Sequence, residues 1–341
     1  MKIGVIGLGY IGFAHMEALQ SIPGVEIAAV CSRRPERLAG DYASVPGGSG
    51  AETRHIDLTG AAKYTDAFDL LRDPSLEAVD LCLPTYLHEP VAVAALAAGK
   101  HVVVEKPLAL SGEEAGRMIA AAHEHGRVLM AAHLLRFMPV YREAARMIRE
   151  GELGAVRMAT FRRRSGAPAW GRWLLDKSKS GGGVFDLLVH DADFCLQAFG
   201  APETVSSIGY EDLGREIDIA SATLQYTGMS GVVIEGGWYH PRTFPFSMEF
   251  TIVGERGTLN YNSACAPPVF HGADGVARPV QLSGEEPFRA ELEYFIGCCE
   301  RGIEPAACPP AESAAAVRLV RLIDEARLRG GERVPFGKFV E

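Results

Sequence analysis

An apolar strand that runs directly into three closely spaced glycines at the start of the chain limits the fold more than any other feature. Ile3 to Ile6 is apolar, and Gly7, Gly9 and Gly12 follow in the order G-L-G-Y-I-G. Phe13, Met16, Leu19 and Ile22 then fall at helical spacing, and a second apolar run, Val25 to Val30, completes a strand–helix–strand unit. In a dinucleotide-binding turn the first glycine permits the tight turn. The second lets a pyrophosphate approach the backbone, and the third lets the helix pack on the strand. The helix start beyond them offers free N–H groups and the positive end of a dipole to phosphate. Glycines alone fit an ordinary strand–turn–helix, but the second strand, arriving on schedule, turns residues 7–12, Tyr10 and Ile11 included, into a candidate cofactor site.

The alternation continues. Ala78 to Leu83 reads as a strand that ends in PTYLHEP, and Val91 to Ala98 as a helix closed by Gly99. His101 to Val104 is a strand that runs into Glu105-Lys106-Pro107. Ser111 with Glu114 forms a capping box for a helix to about His125, and Arg127 to Ala132 is another strand. Repeated β-α-β order predicts a doubly wound parallel sheet covered on both faces. A length of 341 residues suits two domains, a dinucleotide-binding domain over 1–125 and a substrate domain over 126–341. Ligands of such sheets bind beyond the carboxyl ends of the strands. Pro84, Thr85 and His88 of PTYLH, and Glu105 and Lys106, fall at such ends and join the cofactor-site candidates.

At the end of the second strand this fold uses an acid to hold the ribose hydroxyls of NAD, or a small neutral residue with arginines to accept the 2′-phosphate of NADP. Here Ser32 stands at that place with Arg33 and Arg34 after it, and Asp41 lies too far along to replace the acid. The segment favours NADP over NAD. The competing reading is that the two arginines are solvated at a helix start capped by Ser32.

The formal net charge of −9 argues against nucleic acid as a partner. Seven scattered cysteines with no C-x-x-C pair point to a reduced, cytoplasmic setting, and no cluster has zinc-ligand spacing, so no metal is expected. No apolar run approaches the ~20 residues of a membrane helix, and the N-terminus lacks a signal-peptide core. The segment Val45 to Gly50 reads as a loop.

Two constellations carry chemistry. Lys106 follows a strand and precedes a proline, which biases it away from helical geometry. Beside a nicotinamide it can hydrogen-bond a substrate oxygen and exchange its proton, with Glu105 orienting it or contacting the nicotinamide ribose. The plain alternative is a solvated strand end. Residues 184–199 read as a helix whose packing face is Leu187, Leu188, Phe194, Cys195 and Phe199. Asp186, His190, Asp193 and Gln197 share a stripe, so His190 has an aspartate about a turn away on either side. A carboxylate neighbour favours the imidazolium, which suits a general acid/base. The glycines at 181–183 leave that helix start open to substrate. A solvated helix face is the competing reading, and Asp193 stands either behind the site or at the surface.

The sequence resembles the Gfo/Idh/MocA oxidoreductases, which include inositol and sugar dehydrogenases, over essentially its whole length. GLGYIG at 7–12, PTYLH at 84–88, AGKHVVVEKPLAL at 98–110, LLRFMPVY at 134–141, GGGVFDLLVHDADF at 181–194 and FTIVGERGTLNY at 250–261 carry the resemblance. It implies a Rossmann domain followed by an α+β domain with a large, mostly antiparallel, open-faced sheet. That face often builds a homodimer or homotetramer. The resemblance also implies that Lys106 is the catalytic lysine, and it carries the family's substrate-domain carboxylate and imidazole onto Asp186 and His190. The reaction expected is hydride transfer between NADP or NAD and a secondary alcohol or ketone of a sugar, inositol or related polyol. His190 takes the hydroxyl proton, Lys106 stabilises the alkoxide and Asp186 positions His190. Two other functions stay open: a glycosidase that uses tightly held NAD for transient oxidation, and a non-catalytic dinucleotide sensor.

Arg136, after a strand end, is a candidate substrate contact. Arg162 and Arg164 on one side of an extended segment, with Arg163 on the other, either meet an acidic substrate or make salt bridges along a sheet edge. Trp170, Trp173 and Trp238 either stack on a sugar or fill a core. His133 has no assigned role. Met229 to Ile234 and Glu249 to Val253 read as strands, with Gly254 to Leu259 as a turn. Residues 311–329 form an amphipathic helix that can return towards the first domain.

Overall fold

The computed structural model describes residues 1–43, 55–169, 171–265 and 267–337. The expected loop Val45–Gly50 and Trp170 lie outside the described residues. Two units result: residues 1–137 with 285–314, and residues 138–284 with 315–341.

In the first unit, β1 (Lys2–Ile6), α1 (Tyr10–Gln20), β2 (Glu26–Cys31), α2 (Pro35–Leu38), β3 (Ala62–Tyr64), α3 (Ala67–Leu71), β4 (Ala78–Leu81), α4 (His88–Ala97), β5 (His101–Glu105), α5 (Gly112–Glu124) and β6 (Leu129–Ala132) alternate as expected. The sheet is parallel, in the order β3-β2-β1-β4-β5-β6. Its central strands are buried on both faces, which is why they read as unbroken Val, Ile and Leu runs rather than alternating ones. Ser111 accepts the Glu114 N–H at 3.2 Å, as a helix cap should. The Glu114 carboxylate, however, reaches back past the cap to the Leu110 N–H at 2.9 Å.

The second unit opens with α6 (Pro139–Arg149), β7 (Val156–Ser165), α7 (Lys177–Ser180) and α8 (Gly183–Phe199). The strands β8 (Thr204–Asp212), β9 (Ile217–Gln225), β10 (Gly231–Trp238), β11 (Ser247–Gly254), β12 (Gly257–Asn262), β13 (Val269–Gly272) and β14 (Ala277–Pro279) follow. The chain then contributes α9 (Pro287–Arg301) to the first unit. The division between units falls within α10 (Pro310–Leu328), and β15 (Val334–Pro335) ends the second sheet. That sheet has the order β14-β13-β12-β11-β7-β10-β9-β8-β15, antiparallel except where β10 runs parallel to β7. The hairpin at Gly254–Gly257 forms as the sequence suggests.

The division differs from one at residue 125 because β6 pairs with β5, and because Leu292, Phe295, Ile296, Cys298 and Cys299 of α9 share a buried core with Phe13, Met16 and Leu19 of α1. A local strand-and-helix reading cannot see a helix that returns across some 150 residues of chain.

Candidate functional site

The turn after β1 has the geometry a dinucleotide requires. Gly7 has φ +98°, and a Cβ there would lie 2.2 Å from the Cys82 carbonyl oxygen. A Cβ on Gly12 would lie 2.1 Å from the Gly7 carbonyl oxygen, so the helix could not close on the strand with any other residue. A Cβ on Gly9 would meet nothing within 4 Å, and Gly9 begins α1 with no side-chain cap. The start of α1 therefore presents uncapped N–H groups towards open space, which fits a pyrophosphate. Tyr10 and Ile11 are the next two residues of that first turn, and Tyr10 is exposed.

At the end of β2 the Ser32 hydroxyl accepts the Arg34 N–H at 3.1 Å, and Arg33 and Arg34 are exposed. Ser32 does not cap the helix that follows. Arg34 is the residue preceding α2, with Pro35 as its first residue.

Beyond β4 and β5 lie the other two motifs of this edge. Thr85 is buried at the start of a single helical turn after Pro84. His88 is also buried; its Nδ1 lies 2.8 Å from the Pro107 carbonyl oxygen and its Nε2 2.8 Å from that of Leu83. Its ring joins the two motifs, so any service to a cofactor comes through the segments it ties together. The Lys106–Pro107 peptide is cis. Glu105, half turned inward, accepts the Lys106 backbone N–H on Oε2 at 3.1 Å, and its Oε1 lies 3.2 Å from His15 Nε2.

Below the glycine turn is a cluster that motif reading missed. His15 Nδ1 lies 2.9 Å from Asp80 Oδ2, and the Cys82 thiol lies 3.4 Å from Asp80 Oδ1 and 3.5 Å from His15 Nδ1. Burial draws the His15 pKa down, but Asp80 and Cys82 more than reverse this, leaving it well above the ordinary value. Burial also pushes the Cys82 thiol far up. The donor atoms of His15, Asp80 and Cys82 lie within 4.8 Å of one another. A metal ion held there would have to displace the protons of the ring and the thiol. The only sequence signal was a lone aspartate in the apolar run AVDLCL.

Arg136 differs from the expectation of a substrate contact. It is buried, and its Nη1 donates to the Ala307 carbonyl at 3.0 Å and to Glu312 Oε2 at 2.7 Å. It ties the segment after β6 to the chain that follows α9, a partner invisible to local reading. His133 is buried beside it in sequence.

In the second unit Asp186 and His190 lie on α8 at the margin of burial, Asp193 is fully buried and Gln197 is exposed. The stripe is half-buried at Asp186 and His190, buried at Asp193 and exposed at Gln197, and Asp193 is not a surface residue. The glycine triplet is imposed from inside rather than left open: all three glycines are buried. A Cβ on Gly182, at φ +91°, would lie 2.4 Å from Asp218 Oδ2, and one on Gly183 would lie 2.6 Å from the Trp238 ring. Asp218 accepts the Val184 N–H at 3.1 Å and the Arg327 Nη1–H at 2.6 Å, which fixes the start of α8. Burial raises the Asp218 pKa although Arg327 and the Val184 N–H oppose it. Trp238 is core, with Trp173 packed against the same cluster.

The three arginines make salt bridges, but on an interior strand rather than a sheet edge, since β7 lies between β11 and β10. Arg162 lies 3.3 Å from Glu235 and 3.7 Å from Glu249, and Arg164 pairs with Glu249. Arg163, on the opposite face, is buried and grips Asp191 through Nε at 2.8 Å and Nη2 at 3.0 Å.

Residues 1–133 match a family model described as an oxidoreductase family with an NAD-binding Rossmann fold, and residues 141–260 match the GFO/IDH/MocA C-terminal domain. The chain is 28% identical over 326 residues to the scyllo-inositol 2-dehydrogenase (NAD(+)) of Bacillus subtilis, covering 89% of this chain and 88% of that protein. It is 26% identical over 333 residues to a D-xylose 1-dehydrogenase (NADP(+)) of Haloferax volcanii, covering 95% of each. The aldose-aldose oxidoreductase of Caulobacter crescentus, solved with glycerol, superposes with a TM-score of 0.81 at 23% identity, over 98% of this chain and 99% of that one. This last match speaks for the fold.

Proposed function

Because this chain belongs to the GFO/IDH/MocA oxidoreductases, we propose that it moves hydride between a nicotinamide cofactor and a secondary alcohol or ketone of a sugar, inositol or related polyol. The observation that carries this is topological. The glycine turn after β1, the PTYLH segment after β4 and the Glu105-Lys106-Pro107 segment after β5 follow three strands that are neighbours in one parallel sheet. They therefore share its carboxyl edge, where such sheets bind ligands. Relatives named for inositol and for xylose support the substrate class.

When bound, the nicotinamide supplies the hydride acceptor or donor. The chain's own residues do the rest. The uncapped start of α1 holds the pyrophosphate through Gly9, Tyr10, Ile11 and their N–H groups. Ser32, Arg33 and Arg34 receive the adenosine ribose and favour a 2′-phosphate, so NADP is preferred to NAD. Pro84, Thr85 and Glu105 line the nicotinamide end. Lys106 holds the substrate oxygen and stabilises its negative charge, His190 takes the hydroxyl proton, and Asp186 orients His190 and binds a neighbouring hydroxyl. The substrate domain extends the assembly to a homodimer or homotetramer through its sheet, on which Met158, Ile208 and Tyr210 are exposed. No helix among the described residues is long and apolar enough to cross a membrane, and we place the enzyme in the cytoplasm, in keeping with its free thiols.

The test is a paired titration of NADP⁺ and NAD⁺, then a screen of inositols, pentoses and other polyols with the preferred one, read by nicotinamide absorbance. Steady net reduction with one polyol class is expected. Hydrolysis of a glycoside without net cofactor turnover, or dinucleotide binding with no reaction across the panel, would overturn the reading.

A further inference from the structure

Within the first unit His15 sits at the centre of a closed set of ionisable groups. It is fully buried, with a carboxylate oxygen at each ring nitrogen: Asp80 Oδ2 at 2.9 Å from Nδ1 and Glu105 Oε1 at 3.2 Å from Nε2. The Nδ1 contact is a hydrogen bond, and the Nε2 contact is a close ion-pair approach without hydrogen-bond alignment; a carboxylate on each side of the ring favours the imidazolium. The other oxygen of Glu105 accepts the backbone N–H of Lys106. The remaining walls are the Cys82 thiol after β4 and, from α9, the Phe288 ring edge-on at 5.5 Å and the Glu291 carboxyl. Glu291 is fully buried, and among the described residues no hydrogen-bond donor meets either of its oxygens. Burial, opposed by His15 and reinforced by Glu105 and Asp80, raises its pKa well above the carboxylate range. The chamber thus gathers one imidazole, three carboxyl groups and a thiol.

We propose that His15 is a positioning residue of the reaction: held as an imidazolium between Asp80 and Glu105, it fixes the Glu105 carboxylate against the Lys106 amide and so sets where the catalytic lysine stands. This rests on the reading of Lys106 as the group that holds the substrate oxygen. His15 lies one helical turn beyond Gly12 and never needs to touch substrate. It couples the helix that carries the dinucleotide turn to the strand end that carries the lysine. Asp80 acts through His15, because it meets the ring and not Glu105. The proton on His15 is retained below and around neutral pH and is lost as pH rises through the ring's raised pKa. The clamp on Glu105 therefore relaxes on the alkaline side.

The experiment uses the full-length protein with histidine labelled for NMR and lysines reductively methylated with carbon-13, Lys106 being assigned by its absence in Lys106→Arg. In the wild type the His15 ring is expected to stay protonated well past neutral pH. In Asp80→Asn its titration moves down, and in His15→Gln the Lys106 methyl resonance shifts although circular dichroism and dinucleotide affinity hold. With the best polyol, His15→Gln is expected to lower kcat by about 10- to 100-fold with little change in KM, the scale of a misplaced reacting group. The double variant His15→Gln/Asp80→Asn should be no worse than His15→Gln alone. A His15 ring that titrates at or below the ordinary histidine value overturns the proposal, as does a Lys106 resonance indifferent to His15→Gln. Stoichiometric Zn²⁺ capture that displaces the His15 proton also overturns it. If His15→Gln does not fold, the wild-type and Asp80→Asn titrations decide the matter alone. Undiminished turnover in Lys106→Ala would instead end the lysine reading and leave the His15 measurements standing.

Discussion

His88 Nδ1 lies 2.8 Å from the carbonyl oxygen of Pro107, while its other nitrogen lies at the same distance from that of Leu83. One imidazole thereby fastens the segment after β5 to the segment after β4. Burial holds the His88 pKa below the ordinary value, so the ring is neutral and its one N–H donates to one of the two carbonyls. His88→Ala leaves that carbonyl without this donor in a buried place and is expected to cost about 1–3 kcal/mol of stability. Denaturant unfolding followed by fluorescence measures this; a loss below a few tenths would show that the ring is not a staple.

Lys106→Ala is expected to lower turnover by about 10²–10⁴-fold, the range for a positioned acid or base, with cofactor affinity nearly intact. Steady-state kinetics beside a dinucleotide titration separates the two effects. Weakened cofactor binding with unchanged kcat would move the lysine from chemistry to binding.

Gly9 and Gly12 should fail in different ways. Gly12→Ala drives a methyl to 2.1 Å from the Gly7 carbonyl, so the helix must shift and the fold loses stability. Gly9→Ala meets nothing in the protein within 4 Å, so thermal stability should hold while dinucleotide affinity falls, because the added methyl occupies the ligand's approach. Calorimetric binding and thermal unfolding of both variants make the comparison. Full affinity in a stable Gly9→Ala protein would remove the pyrophosphate from this turn.

Asp218 holds the start of α8 and pairs with Arg327, whose side chain is 6% exposed. Asp218→Ala leaves the Val184 N–H without its acceptor and removes one of the partners of Arg327, which keeps Glu211 and Asp324, so an expected loss of about 1–3 kcal/mol follows. Asp218→Asn keeps an oxygen for the Val184 N–H and should lose less. Equilibrium unfolding in urea ranks the three proteins, and equal losses in both variants would show that the helix contact contributes little.

Glu291 adds a pH dependence. Its folded pKa is raised, so the folded protein binds more protons than the unfolded chain above the ordinary carboxylate value, and stability falls as pH rises through the folded value. His15, also raised, contributes stability that is full below the ordinary histidine value and is lost as pH rises through its folded value. Both place the loss on the alkaline side. Glu291→Gln should flatten the decline, measured as unfolding free energy across pH; an unchanged slope would show that Glu291 is already ionised in the folded state.

The parallel sheet, the glycine turn and α8 were legible because each is written within a short window: an unbroken apolar run, a fixed glycine spacing, a helical stripe. Where one face of an element meets a distant partner, the same window gave less. The triplet Gly181–Gly183 reads locally as an opening for substrate, but Asp218 and Trp238, from strands well downstream, press against it. Arg136 looked like a cleft residue by position and is instead bonded to Ala307 and Glu312. Of three consecutive arginines, alternation correctly separated Arg163 from its neighbours, but nothing local indicated that Asp191 would meet it in the core.

By itself the sequence determined the order of strands and helices, the dinucleotide turn and the residue types offered to the reaction, because backbone periodicity and glycine's missing Cβ act over a few residues. Tertiary structure alone decided which ionisable groups share a buried chamber. His15, Asp80, Glu105 and Glu291 come from four separate elements, and the raised pKa values of His15 and Glu291 depend on burial and on charges that only the fold brings beside them.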